Sequence, residues 1–462
     1  MSKRLYTLYI GIALLCVAFI PASAVEIEMP EIEKTSLDNG LDVYVIEQHE
    51  TPVVTMKLVI PGGSIYENDE TAGLANLMSG LLRKGTTSRT ANEISEEIDF
   101  VGGRLGASAD KDAFYVSSTV LSKHLEIAFD LMSDISINPV FDDEEVERLR
   151  NQIVGAIEQS KNDPTTIRDQ QFAHYLYGDH PYGLPFIGNS ETMLMLTSDD
   201  IKEYYHKYFI PNDGFLLVVG DVEPKDIFNK AKEYFGKWKA GTPVTVDLPS
   251  MPAINGYEIY LIDKPDATQS YISIGHRGID RFNPDAFSLR VMNYILGGGG
   301  FASRLTKEVR GEGGLTYGIG SSFDYNRYPG AFKVTTFTKN ESTAEAIDLI
   351  FAELEKIRDS RITEEELDNT QSFYTGYIPL QFETPANIAN YIETILLYEL
   401  GEDYYNRYLQ GIESTTREDV QEVAQNYIDP DNMLIVVVGK REDVEPQLQK
   451  YGDVTVIDMI EL

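Results

Sequence analysis

The chain has one cysteine, six histidines and little positive charge, and each scarcity removes a class of function. The single cysteine, Cys16, lies in an apolar run near the N-terminus. The residues ahead of it, Ala13-Leu14-Leu15, lack the small side chain that precedes a lipid-modified cysteine. Once that leader is set aside, disulfides, thiolate nucleophiles and Cys-ligated zinc or iron-sulfur sites are excluded. Basic residues number 39 against 74 acidic ones, a net charge of -35. Such a surface is repelled by phosphate backbones and anionic headgroups, which argues against nucleic-acid binding; solubility or an affinity for basic substrates accounts for the charge. His174 and His180 are the closest pair of histidines, but their spacing puts them on different helical faces and Gly178 and Pro181 break the helix nearby. They read as ordinary histidines. A Gly-x-Ser-x-Gly elbow and a Walker loop are both missing, which leaves serine-hydrolase and nucleotidase chemistry without support.

With 462 residues, 42% of them apolar, the chain can bury the cores of two large domains or several smaller ones. Lys3 and Arg4 precede the apolar run from Tyr9 to Ile20, which ends in Ala22-Ser23-Ala24. That is the pattern of a secretory signal peptide over residues 1–24, with cleavage expected after Ala24 and export to a periplasmic or extracellular location. An uncleaved anchor is the alternative, although the run is shorter than the roughly 20 residues of a spanning helix. No later segment is long enough to span, so no stable membrane span is expected after cleavage.

The two halves echo each other. Val43-Tyr44-Val45-Ile46 after Asn39-Gly40 reads as a strand, and Ile259-Tyr260-Leu261-Ile262 after Asn255-Gly256 repeats it. Second strands follow at Val53 to Ile60 and Gln269 to His276. Asp142-Asp143-Glu144-Glu145 opens a helix running towards Asp163-Pro164, and Thr363-Glu364-Glu365-Glu366 opens one running towards Thr384-Pro385, both with acids where the helix dipole favours them. The halves close alike on Leu216 to Gly220 and Leu434 to Gly439. The turn-rich stretch 241–254 separates them. The expected fold is α+β: two homologous domains from an internal duplication, 25–240 and 255–462, each a mainly antiparallel sheet covered by helices on one face.

The most informative segment is Gly73-Leu74-Ala75-Asn76-Leu77-Met78-Ser79-Gly80-Leu81-Leu82-Arg83-Lys84-Gly85-Thr86. Leu74, Leu77, Met78, Leu81 and Leu82 form one buried stripe at helical spacing; Asn76, Ser79, Gly80 and Arg83 take the other face. Here the chain resembles the insulinase/pitrilysin family of zinc peptidases, which includes mitochondrial processing peptidase and carries H-x-x-E-H on this helix between a similar lead and a Lys-Gly-Thr-like end. The resemblance extends to the duplicated halves, the His180-Pro181-Tyr182-Gly183 stretch and the run Gly297 to Leu305.

By this register Asn76 and Gly80 stand at the two histidine positions and Ser79 at the general-base glutamate. Ala156 stands at the third ligand, a glutamate on a later helix. Catalytic zinc needs imidazole, thiolate or carboxylate donors, so no metal or other cofactor is expected on this chain. The family's Arg and, seven positions on, Tyr are matched by Arg310 and Tyr317 in Arg310-Gly311-Glu312-Gly313-Gly314-Leu315-Thr316-Tyr317. In the family they bind substrate and stabilise the developing oxyanion from across the cavity. Gly298, Gly299 and Gly300 read either as a substrate-contacting loop or as a helix-to-turn cap needing φ > 0. Gly102 to Ala109 falls where the family presents an edge strand for peptide pairing.

The resemblance therefore implies a non-catalytic subunit of a heterodimeric zinc peptidase. It would act on peptides or unfolded polypeptides with a homologous, H-x-x-E-H-bearing partner that holds the zinc. A peptide-binding or scaffold protein with no role in proteolysis is the alternative reading. A self-sufficient zinc peptidase would require ligands that are absent.

Overall fold

The computed structural model describes residues 30–459; the expected signal peptide lies outside them. Two six-stranded sheets organise the chain. The first contains β1 Glu33–Ser36, β2 Asp42–Glu47, β3 Val53–Pro61, β4 Arg104–Ala109, β5 Ala113–Leu121 and β6 Phe215–Gly220, in the order β1-β2-β6-β3-β5-β4. The second contains β7 Tyr257–Asp263, β8 Gln269–Arg277, β9 Ile319–Tyr325, β10 Pro329–Lys339, β11 Met433–Gly439 and β12 Val454–Asp458, in the order β12-β7-β11-β8-β10-β9. Pairing is antiparallel except for β2 with β6, β7 with β11 and β7 with β12.

The first-half helices are α1 Leu74–Leu81, α2 Ala91–Phe100, α3 Leu125–Ile137, α4 Asp143–Ser160, α5 Pro164–Tyr177, α6 Ser190–Met195, α7 Ser198–Tyr208 and α8 Pro224–Phe235. Those of the second half are α9 Ala286–Asn293, α10 Thr343–Asp359, α11 Glu364–Tyr377, α12 Pro385–Leu397, α13 Tyr404–Ser414, α14 Arg417–Tyr427 and α15 Arg441–Leu448. This is the expected α+β architecture, mainly antiparallel and repeated. Residues 239–255 hold neither helix nor strand.

The helix starts follow from their side chains. Asp142 accepts from the Glu144 N–H ahead of α4, and Thr363 closes a capping box with Glu366 ahead of α11. After each of these helices comes another with proline in its first turn, α5 capped by Asp163 and α12 capped by Thr384. These two helices change halves. α12 packs on β3 and β6 of the first sheet, and α5 packs on β8 and β11 of the second.

The swap explains why the central strands are apolar at every position. Leu216 and Val218 face the first half's own core, whereas Phe215, Leu217 and Val219 join the cluster holding Ile388, Ile392 and Ile395 of α12. Likewise Ile435 and Val437 face their own half, while Leu434, Val436 and Val438 pack with Ile167, Leu176 and Tyr177 of α5. A strand covered on both faces cannot alternate polar with apolar. The expected single helical layer is thus completed on the opposite face by one helix lent from the other half.

Candidate functional site

α1 starts at Gly73, whose φ of +90° and closeness to Gly188 leave no room for a side chain. The buried carboxylate of Glu67 caps this start, accepting from the N–H groups of Gly73 at 3.0 Å and Ala75 at 2.6 Å. Burial pushes Glu67 up to about 8 against the pull of those two donors. The helix is therefore well anchored. Asn76 is half-buried. Ser79 is 1% exposed and donates its hydroxyl to the Asn76 carbonyl at 3.1 Å. A Cβ on Gly80 would stand 3.1 Å from Leu149 of α4. Ala156 follows Leu149 on α4 by seven residues, hence on the same side of the helix, and is exposed.

Zinc does not fit this set. A neutral amide, a hydroxyl spent within its own helix and two residues without donors supply none of the imidazole, thiolate or carboxylate groups that a catalytic site uses. His174 is exposed, and His180 is buried against Tyr182 and Tyr328, held down at about 4 by burial and by the nearby Lys111, so the two do not form a site. Among the described residues, Glu47, His49 and Glu223 could bring ligand atoms together, but all three are exposed and His49 Nδ1 is 2.8 Å from Asp221. The purified chain is expected to retain no stoichiometric zinc after dialysis and to cleave no peptide. One dialysis-resistant zinc per chain, by elemental analysis, would contradict the donor chemistry.

The second half is built differently. After α9 the backbone widens into a π-helical turn, Tyr294–Gly298, and a second π-helical stretch follows at Thr306–Glu312, a conformation concentrated at functional sites. The glycines have separate roles here. A Cβ on Gly298 would meet Asn293 at 2.8 Å and one on Gly299 the Tyr294 carbonyl at 2.7 Å, whereas Gly300 has open space and a φ of +57°. Their turn presents Phe301, which is 77% exposed, and the Arg310 guanidinium stacks 4.6 Å from that ring.

Tyr317 is 82% exposed and has no hydrogen bond among the described residues, yet its backbone is firmly held. Thr338 donates to the Leu315 carbonyl at 2.7 Å, Thr336 to the Gly318 carbonyl at 3.0 Å, and the Thr316 hydroxyl closes the turn on the Gly318 N–H at 3.0 Å. The Leu315 N–H donates to the Val309 carbonyl at 3.0 Å, which ties the residue before Arg310 to the turn bearing Tyr317. The structure thus brings Arg310, Phe301 and the glycine turn into one lip. Sequence reasoning missed Phe301 and the threonine pins, although Thr336 and Thr338 sit two apart on β10, on one face of the strand. In the first half β4 is a sheet edge that pairs with β5 alone and lies beside α1.

The chain and its fold have known relatives. A family model described as insulinase (peptidase family M16) matches residues 42–190, and one described as the peptidase M16 inactive domain matches residues 195–374. An uncharacterized zinc protease of Bacillus subtilis is 25% identical over 355 residues, covering 76% of this chain and 85% of that protein. Another, of Mycobacterium leprae, is 28% identical over 402 residues, covering 86% and 89%. Among solved structures, a peptidase M16 inactive domain from Pseudomonas fluorescens superposes with a TM-score of 0.83 at 25% identity, over 89% of this chain and 98% of that one. A protease from Helicobacter pylori gives 0.83 at 22% identity, over 88% and 99%.

Proposed function

Because the chain belongs to the insulinase family, peptidase M16, we propose that it is the non-catalytic subunit of an exported heterodimeric zinc peptidase. In this reading Arg310 and Tyr317 complete the active site of a homologous partner that carries H-x-x-E-H and the zinc. The observation that carries it is the pairing of two opposites in one chain: a helix stripped of metal donors, and a rigid lip whose Arg and Tyr have no hydrogen-bond partner of their own. A guanidinium and a phenol are strong donors, suited to the oxyanion that develops when a peptide carbonyl is attacked. Holding such donors in advance is what makes them effective, and the threonine pins do that for Tyr317. Substrates would be peptides or unfolded polypeptides, because β4 offers main-chain pairing that requires no particular side-chain sequence.

The same edge strand favours a second reading, a peptide-holding or scaffold protein with no part in proteolysis. Purification of the tagged chain from its native host, followed by mass spectrometry, separates the two. The subunit reading expects a homologue containing H-x-x-E-H and lacking the Arg/Tyr pair, in equal amount, together with zinc and peptidase activity in the complex. Recovery of the chain alone, or with partners unrelated to peptidases, would favour the scaffold.

A further inference from the structure

A cavity of about 370 Å³ opens among α9, α11, α12 and α13 and is lined by Arg281, Arg290, Tyr374, Tyr391, Tyr404 and Tyr408. None of the lip residues lines it. Its volume is in the range of small-molecule sites. The positive charges of both arginines favour ionisation of the Tyr325 hydroxyl against the burial that opposes it, and neither arginine forms an ion pair with a carboxylate among the described residues. Arg290 lies 3.9 Å over Tyr325 and 5.5 Å from Tyr408; Arg281 lies 4.2 Å over Tyr398. The Nε atoms of both arginines and the hydroxyl of Tyr325 are buried without a hydrogen-bond partner.

That arrangement leaves two guanidinium charges beside one cavity without a carboxylate partner. A guanidinium keeps its charge at every pH at which a protein folds, and aromatic faces ease its burial but accept none of its forked hydrogen bonds as a carboxylate does. Buried polar atoms without partners are uncommon in folded proteins, and two of these three belong to arginines that line the cavity. In a chain of net charge -35 a counter-carboxylate is the easiest group to supply, so its absence is informative. Glu393, the acid on α12, is turned instead to Lys57 of the first half at 2.5 Å. Aligned on the buried pairs Leu77-Met78 and Val291-Met292, Arg290 takes the place on α9 that Asn76 takes on α1.

We infer that this cavity binds a small organic acid, whose carboxylate takes the N–H donors of Arg281 and Arg290 and whose apolar body lies against the tyrosine rings. The inference is independent of the Arg310/Tyr317 reading and needs no partner. It is tested by calorimetric titration and thermal unfolding of the purified chain at constant ionic strength, with benzoate as the probe and benzamide as its uncharged counterpart. Benzoate should bind saturably, one per chain, and raise Tm with concentration, whereas benzamide should not. Arg290→Gln and Arg281→Gln, checked for native circular dichroism, should each weaken benzoate binding about tenfold or more. If Arg290→Gln fails to fold, Arg281→Gln and the benzoate–benzamide contrast in the wild type still decide. No saturable benzoate binding, equal binding of benzamide, or unchanged affinity in Arg281→Gln would overturn the site. Inorganic phosphate binding as tightly as benzoate would overturn the role given to the tyrosine walls.

Discussion

If the chain completes the active site of a zinc-bearing partner as proposed, Tyr317→Phe is expected to lower kcat of the heterodimer about 100-fold or more, the usual cost of one oxyanion donor, while leaving folding and assembly unchanged. That factor corresponds to about 2.7 kcal/mol of transition-state stabilisation. A packing defect could not mimic it, because the ring is retained, is 82% exposed and has its backbone fixed by threonine hydroxyls from β10. Arg310→Ala should also lose rate, but it removes the stack on Phe301 together with the charge and is the less clean test. KM should change less than kcat, since a donor aimed at the oxyanion acts mainly in the transition state. Wild-type turnover in a correctly assembled complex carrying both substitutions would exclude a shared active site and leave the peptide-holding scaffold as the better account.

Much of this was legible in the sequence because the chain was duplicated. Two copies of a strand, an acid-started helix and a Val-rich closing strand repeat at one spacing, and an architecture that recurs is hard to mistake. The exchange of α5 and α12 between halves is not legible in any one motif, although two local signals bear on it. Asp163-Pro164 and Thr384-Pro385 are a cap followed by a first-turn proline, which start helices rather than end them. The unbroken apolar runs in β6 and β11 required cover on both faces. The candidate site divides in the same way. Asn76, Ser79, Gly80 and Ala156 could be placed by register, because an absent donor is visible in a string of letters. What holds Tyr317 outward could not, since Thr336 and Thr338 meet the turn only once β10 pairs with β9. The Arg281/Arg290 cavity draws its walls from four helices spread over more than a hundred residues, and no local pattern marks it.

Asp112→Ala is expected to cost about 3–5 kcal/mol of stability, a large part of what holds a domain pair of this kind together. Nothing in Asp110-Lys111-Asp112 distinguishes this acid from a surface residue, yet it is 4% exposed and joins the halves. One oxygen accepts from the Tyr182 hydroxyl at 2.5 Å; the other accepts from the Tyr398 hydroxyl at 2.8 Å and the Arg327 N–H at 3.1 Å. Tyr398 and Arg327 belong to the second half, so truncation leaves buried donors unpaired on both sides of the junction, each worth about 1–3 kcal/mol. Asp112→Asn keeps the shape and one carbonyl oxygen for the second-half donors, and the Tyr182 hydroxyl can turn to accept from the new amide. It should cost about 1 kcal/mol. Trp238, the only tryptophan, is buried in the first half's core, so its fluorescence reports that half while far-UV circular dichroism reports both. In urea the two signals should coincide for the wild type and for Asp112→Asn. For Asp112→Ala both midpoints should fall and the transitions should separate as the halves lose their shared anchor. Coincident transitions at the wild-type midpoint in Asp112→Ala would show that the exchanged helices α5 and α12 alone carry the coupling, and that the buried carboxylate contributes nothing to it.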